Sequence, residues 1–261
     1  MFADIEKPKR GQSRRGCSCG CLIFTLSIVL ALGGAALAVF LIFAPANNGG
    51  DFFGGLMNSV NQALGINAEL GIEMAPAPGD ASAFDPIASL PEVAAFAGED
   101  LLFLEMTARY VRSDGTLELT ASYTPSPTVE YRFMREVPRP ANAPPPGVAG
   151  STSGPWYEPI TVTLEKPGVL RRITRTGGGV NISTQMVTEG MTRNVGDPTS
   201  NVSGEFIALP TCPLAQLWGT AIERGADREA VAVIEYDANG YEFRITGTSF
   251  SLDFDAECRV Q

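Results

Sequence analysis

Hydrophobic positions change their spacing along this chain. From Leu22 to Ala44 they run on without a charge, and over residues 51–65 they recur at helical intervals. Beyond residue 84 they alternate with polar residues in short runs broken by Gly, Pro and Asx-Gly pairs.

The 23 residues Leu22–Ala44 would span roughly 34 Å as a helix, enough to cross the hydrocarbon of a bilayer. This predicts a single transmembrane helix. A cleaved secretory signal is the rival, with Ala44-Pro45-Ala46 as its small-residue site. The apolar core of such a signal runs only about 7–15 residues, so length favours a retained signal-anchor.

Residues 45–83 read as a linker, with Ala, Pro, Asn and Gly dominating 45–50 and 74–83. Within it an amphipathic helix is predicted over 51–65. Asp51 caps it, and Phe52, Phe53, Leu56, Met57, Val60 and Leu64 share a face. The helix lacks Lys and Arg, which argues against tight binding to anionic lipid. Its apolar face needs cover from the membrane surface, a second copy or the folded part.

The folded part is expected to hold two similar units. In the first, 84–137, Asp85-Pro86 starts a helix that ends at Gly98. Strands follow at Leu102–Val111, at Leu117–Tyr123 beyond the Asp114-Gly115 turn, and around Val129, Tyr131 and Phe133. In the second, 212–261, Cys212-Pro213 opens a helix with Leu214, Leu217, Trp218, Ala221 and Ile222 in one stripe. A strand at Ala230–Tyr236, an Asn239-Gly240 turn, a strand with Tyr241, Phe243 and Ile245, and a last strand with Phe250, Leu252 and Phe254 follow. Both helices begin Pro-x-Ala-x-Leu. Residues 138–211 form a Pro/Gly-rich loop plus additional strands: Ile160–Glu165 and Val169–Thr176 as a hairpin about Pro167-Gly168, then Val180–Val187. The fold class expected is α+β: an N-terminal transmembrane helix, then an exported domain of antiparallel sheets each covered by a helix, as a tandem αβββ repeat.

Charge sets the orientation. Of 19 basic and 29 acidic residues, five basic and two acidic ones lie in residues 1–21, leaving 14 basic and 27 acidic beyond the apolar run. The cationic flank places residues 1–21 in the cytoplasm and the C-terminal part outside the cell membrane. So acidic a part is a poor partner for nucleic acid. The bilayer is one expected partner, and an extracytoplasmic protein or ligand of unknown identity is the other.

Cysteines divide the same way. Cys17, Cys19 and Cys21 cluster at the cytoplasmic border, where acylation, a soft-metal site and plain small-residue packing are alternatives. Cys212 and Cys258 are the only pair beyond the membrane, and an oxidising compartment predicts a disulfide between them.

The chain has no histidine. That removes Ser-His-Asp, Cys-His and most zinc-hydrolase chemistry. Gly150–Gly154 has Thr152 where a nucleophile elbow needs serine, and Gly177-Gly178-Gly179 opens no helix for a phosphate. No catalytic residue, cofactor or metal ligand is assigned. Asp253, Asp255 and Glu257 alternate on the last strand, a pattern open to calcium or a carboxylate pair but better explained as a solvated strand face. Trp156-Tyr157, at the end of the flexible loop, is the candidate partner-binding pair. Asn181 and Asn201 stand in glycosylation-type triplets. The function expected is a membrane-anchored extracytoplasmic binding or interaction module that is not an enzyme; the alternative is a carboxylate-dependent hydrolase of glycosidase type.

Overall fold

The computed structural model describes residues 71–122, 124–141, 143, 154–177 and 180–261. The Leu22–Ala44 span, Cys17, Cys19, Cys21 and the 51–65 amphipathic segment lie outside the described residues. Among the described residues no helix is long and apolar enough to cross a membrane.

Among the described residues ten strands and two helices follow one another as β1 (Ile72–Pro76), α1 (Leu90–Ala97), β2 (Leu101–Val111), β3 (Thr128–Val137), β4 (Trp156–Leu164), β5 (Leu170–Gly177), β6 (Val180–Val187), β7 (Gly190–Val195), α2 (Leu214–Glu223), β8 (Ala232–Asp237), β9 (Gly240–Ile245) and β10 (Ser251–Phe254). Eight strands form one sheet in the order β1-β7-β4-β3-β2-β8-β9-β10, and β5-β6 form a separate ribbon. All of the pairings are antiparallel.

This corrects the expected fold class. There are not two sheets, each under its own helix, but one sheet whose single core takes both. β2 is the reason: it pairs with β3 along one edge and with β8 along the other, so the two expected units merge. The tandem αβββ repeat fails as well, because the first unit lacks its middle strand. Leu117 and Leu119 are fully buried as the alternation demands, yet they lie in a loop that touches Phe84 through an isolated bridge. The Asp114-Gly115 turn closes by hydrogen bonds between Arg112 and Thr116 but leads into no hairpin. Gly115 instead sits against the backbone of Ala215 in α2, where a side chain would collide, and its φ of +82° suits glycine.

Local signals fared better where both partners are neighbours in sequence. The stripe on α2 is buried at Leu214, Leu217, Trp218 and Ala221. β8-β9-β10 is a meander with Tyr241, Phe243 and Ile245 inward, its first turn one residue earlier than expected, since Gly240 already pairs with Asp237. The helix expected to start at Asp85-Pro86 begins later, at Leu90 with Ser89 at its N-cap; the Asp85 carboxylate instead holds the preceding turn, accepting from the Ile87 and Ala88 amides at 2.9 and 3.0 Å. The expected hairpin across Pro167-Gly168 is not formed. β4 pairs with β3 and β7, and the ribbon β5-β6 is an excursion between β4 and β7.

Alternation along β2, β3, β4, β8 and β9 gives the sheet an apolar inner face. Met106, Tyr131 and Val162 form one cross-strand row, and Ala108, Val129 and Leu164 the next. α1 and α2 cover this face. Tyr131 is buried but its hydroxyl donates to the Pro86 carbonyl at 2.7 Å, so no polar atom there is stranded. Burial pushes that phenol well above its ordinary pKa. The outer face carries ion pairs such as Arg132–Glu105 at 2.7 Å and Arg244–Glu235 at 2.5 Å, as expected of a sheet with one solvated side.

One inward arginine ties β1 and β7 to α1. The Arg193 Nε donates to the Ala97 carbonyl at 2.8 Å, occupying one of the acceptors left open at a helix C-terminus, while Nη1 pairs with Glu73 at 3.0 Å. The Arg193 side chain is 11% exposed and that of Glu73 62%, so the carbonyl bond outweighs the ion pair. Arg193→Met should lower stability by about 1.5 kcal/mol and Glu73→Gln by less than about 0.5 kcal/mol. Denaturant midpoints would measure both; equal losses would contradict this ranking.

Candidate functional site

The segment 196–210 is short of secondary structure yet closely held. The amides of Tyr157 and Thr199 each donate to the other's carbonyl at 2.8 Å, and further on the Ile207 amide donates to the Phe103 carbonyl at 3.0 Å. The Tyr236 hydroxyl reaches the Ala208 carbonyl at 3.3 Å. These bonds strap the segment along the end of the sheet, from β4 to the part of β2 that β8 leaves unpaired, since the β2–β8 pairing stops at Met106.

Between this strap and α1 lies a groove of about 410 Å³. Ala94 and Ala95 of α1 with Gly98 just past its end form one wall, Leu101–Phe103 of β2 with Phe133 of β3 the floor, and Phe206, Ile207 and Leu209 of the strap the other wall. Every lining side chain is apolar. Phe103 and Phe133 meet edge to face with centroids 5.3 Å apart, which stiffens the floor. At the rim Phe206 and Leu209 are 38% and 43% exposed, unusual for large apolar side chains on a strand-bound strap. The Gly98 end lies beside Arg135 and Arg193, whose guanidinium nitrogens come about 4 Å from where a Gly98 side chain would begin. Both are already engaged, Arg135 with Glu158 and Arg193 with Glu73.

Trp156 and Tyr157 open β4 at this same end of the sheet. Both are half-buried. The Tyr157 ring packs on Phe206 at 5.1 Å, so it backs the strap wall of the groove. Trp156 is not among the groove-lining residues, and its buried Nε1 has no hydrogen-bond partner.

Cys212 and Cys258 are joined as a disulfide, with Cα atoms 5.8 Å apart and a sequence separation of 46. The bridge pins the chain end beside the start of α2, and the Cys212 amide donates to the Tyr241 hydroxyl at 3.1 Å. Burial pushes that phenol up to about 12.

The acidic trio does not form a site. Only Asp253 lies in β10; Asp255 and Glu257 are in the turn beyond it. The Asp255 carboxylate accepts from the Glu257 and Arg259 amides and pairs with the Arg259 guanidinium at 2.7 Å. Chiefly the Arg259 amide, with Arg259 itself, holds its pKa below the ordinary carboxylate value. Glu257 pairs with Arg259 too. Asp253 faces Glu242, whose neighbour Glu235 is held by Arg244. Among the described residues no group of His, Cys, Asp or Glu is arranged to hold a metal ion. Asn201 is exposed in the strap.

Periodicity did not point to the groove. Its strap residues stand in Glu205-Phe206-Ile207-Ala208-Leu209-Pro210, after a polar stretch with no repeat. An isolated apolar cluster in a loop was the available signal. Compared with family models, curated proteins and solved structures, the chain matches none.

Proposed function

We propose that this chain is a membrane-anchored extracytoplasmic interaction module without a catalytic role, and that it docks an apolar segment of polypeptide in the groove between α1 and the 196–210 strap. One observation carries the reading: a preformed cavity of about 410 Å³ with apolar walls and two exposed large side chains, Phe206 and Leu209, at its mouth. That volume lies within the roughly 300–1,000 Å³ of ordinary ligand sites and holds a few side chains. The lining side chains supply no charged or hydroxyl group, so its polar atoms are backbone ones and its side chains select by shape and apolar area. Anchoring and export rest on the uncharged run Leu22–Ala44 and its cationic flank.

The test places a photoreactive side chain in the groove of the full chain in its own membrane. Phe206→p-benzoylphenylalanine conserves an aromatic ring at the rim and should give a covalent protein adduct on irradiation. The same probe at Glu242, on the outer sheet face, should give none. Reaction with lipid or solvent alone at position 206 would defeat the proposal.

A further inference from the structure

Resting on that docking surface, we infer that its resident occupant is the chain's own segment 51–65. The sequence supplies an apolar face in need of cover, with Phe52, Phe53, Leu56, Met57, Val60 and Leu64 at helical spacing and no lysine or arginine. The structure supplies a groove with apolar side chains that none of the described residues fills, and shows where the chain that follows this segment joins the sheet.

That junction is beside the groove. The Gly71 carbonyl accepts from the Val195 amide at 3.0 Å, and Val195 lies opposite Ile160, Ile160 opposite Phe133, and Phe133 opposite Phe103. Gly71 therefore stands on the cross-strand row that ends in the groove floor. From β1 to β3 is three strand spacings, about 14 Å. The five residues 66–70 reach about 17 Å when extended, so the segment can sit in the groove without displacing β1. A closer tie runs through Glu73, which pairs with Arg193, which holds the last carbonyl of α1 next to Gly98 in the groove wall.

Proximity decides between occupants. A segment tethered by so short a linker meets the groove at an effective concentration on the order of millimolar, which an apolar segment of another protein must exceed to displace it. Burying two phenylalanines and a leucine is ample for occupancy at that concentration, at roughly 1.5–3 kcal/mol for each side chain. External partners then bind by competing with residues 51–65, which makes the segment an internal regulator of the site.

Peptide mapping of the Phe206→p-benzoylphenylalanine adduct tests this. The expected adduct joins position 206 to residues 51–65 of the same chain, with a yield unchanged on tenfold dilution in the membrane. Mixed light and heavy-isotope chains should give no hybrid adduct. Phe52→Asp, Phe53→Asp and Leu56→Asp together should lower the intrachain adduct by more than about tenfold, the Cys212–Cys258 disulfide reporting by mass that the domain has still folded. An adduct to a different protein, or to 51–65 of a second copy, overturns the inference but leaves the docking surface standing. No protein adduct at all defeats the docking surface itself, so the two fail separately.

Discussion

Replacing Cys212 and Cys258 together by alanine is expected to cost the folded part about 4 kcal/mol, the chain-entropy value for a closed loop of 46 residues. Alanine is the right substitute because Cys212 is 2% exposed and a serine hydroxyl there would add its own burial cost. For a part of this size the loss corresponds to a fall in melting temperature of about 8–16 °C. The location of the bridge makes so large an effect reasonable. It fastens the last residues, which meet β10 at the Phe254–Val260 bridge and through the Gln261 amide on the Asp253 carbonyl, to the buried start of α2. Thermal unfolding of the full chain, with and without the substitutions, measures it, and reductant should reproduce the double mutant. Mass spectrometry without reduction gives an independent check. Free thiols at both positions would remove the bridge and with it the inference of an oxidising compartment.

Trp218→Ala is expected to cost about 3–5 kcal/mol, whereas Trp218→Phe should cost well under half of that. Trp218 is fully buried, and its ring meets Phe243 edge on at 5.0 Å and 88°, so it joins α2 to the centre of β9. Truncation to alanine opens a cavity between helix and sheet that the surrounding β8 and β9 side chains cannot close without shifting strands. Phenylalanine keeps most of the ring. It also forfeits no hydrogen bond, because the Trp218 Nε1 is buried without a partner. Denaturant unfolding followed by circular dichroism would separate the two variants. A loss below about 2 kcal/mol for alanine would mean that α2 does not pack on the sheet as described.

How far the sequence was legible depends on how local each decision is. α2 and the β8-β9-β10 meander were readable because a helical stripe and an Asx-Gly turn are settled within a few residues. β1 and β7 were not seen. They are five and six residues long, and β1 runs into the Ala/Pro/Gly-rich stretch 74–83; its pairing with β7 joins Ile72 to Asn194, a contact no local pattern announces. Leu117–Tyr123 shows the opposite error. Its alternation correctly marked Leu117 and Leu119 as buried, but burial and pairing are different properties, and here the backbone partner is Phe84 rather than a neighbouring strand.

The candidate site follows the same division. Trp156-Tyr157 stood out as an aromatic pair, and Tyr157 does back the groove wall, but Phe206 and Leu209 make its mouth and belong to no periodic element.

The sequence by itself determined what short-range chemistry controls: which face of α2, β3 and β9 is apolar, that a tight turn joins β8 to β9, and that Cys212 and Cys258 have only each other beyond the apolar run. Tertiary structure alone decided that β2 takes partners on both edges, which turns two expected sheets into one and leaves its end free for the strap and the groove. The physical reason is that a strand's backbone donors and acceptors are the same for every sequence. Its choice of neighbour is made by whichever long-range packing buries the most apolar surface.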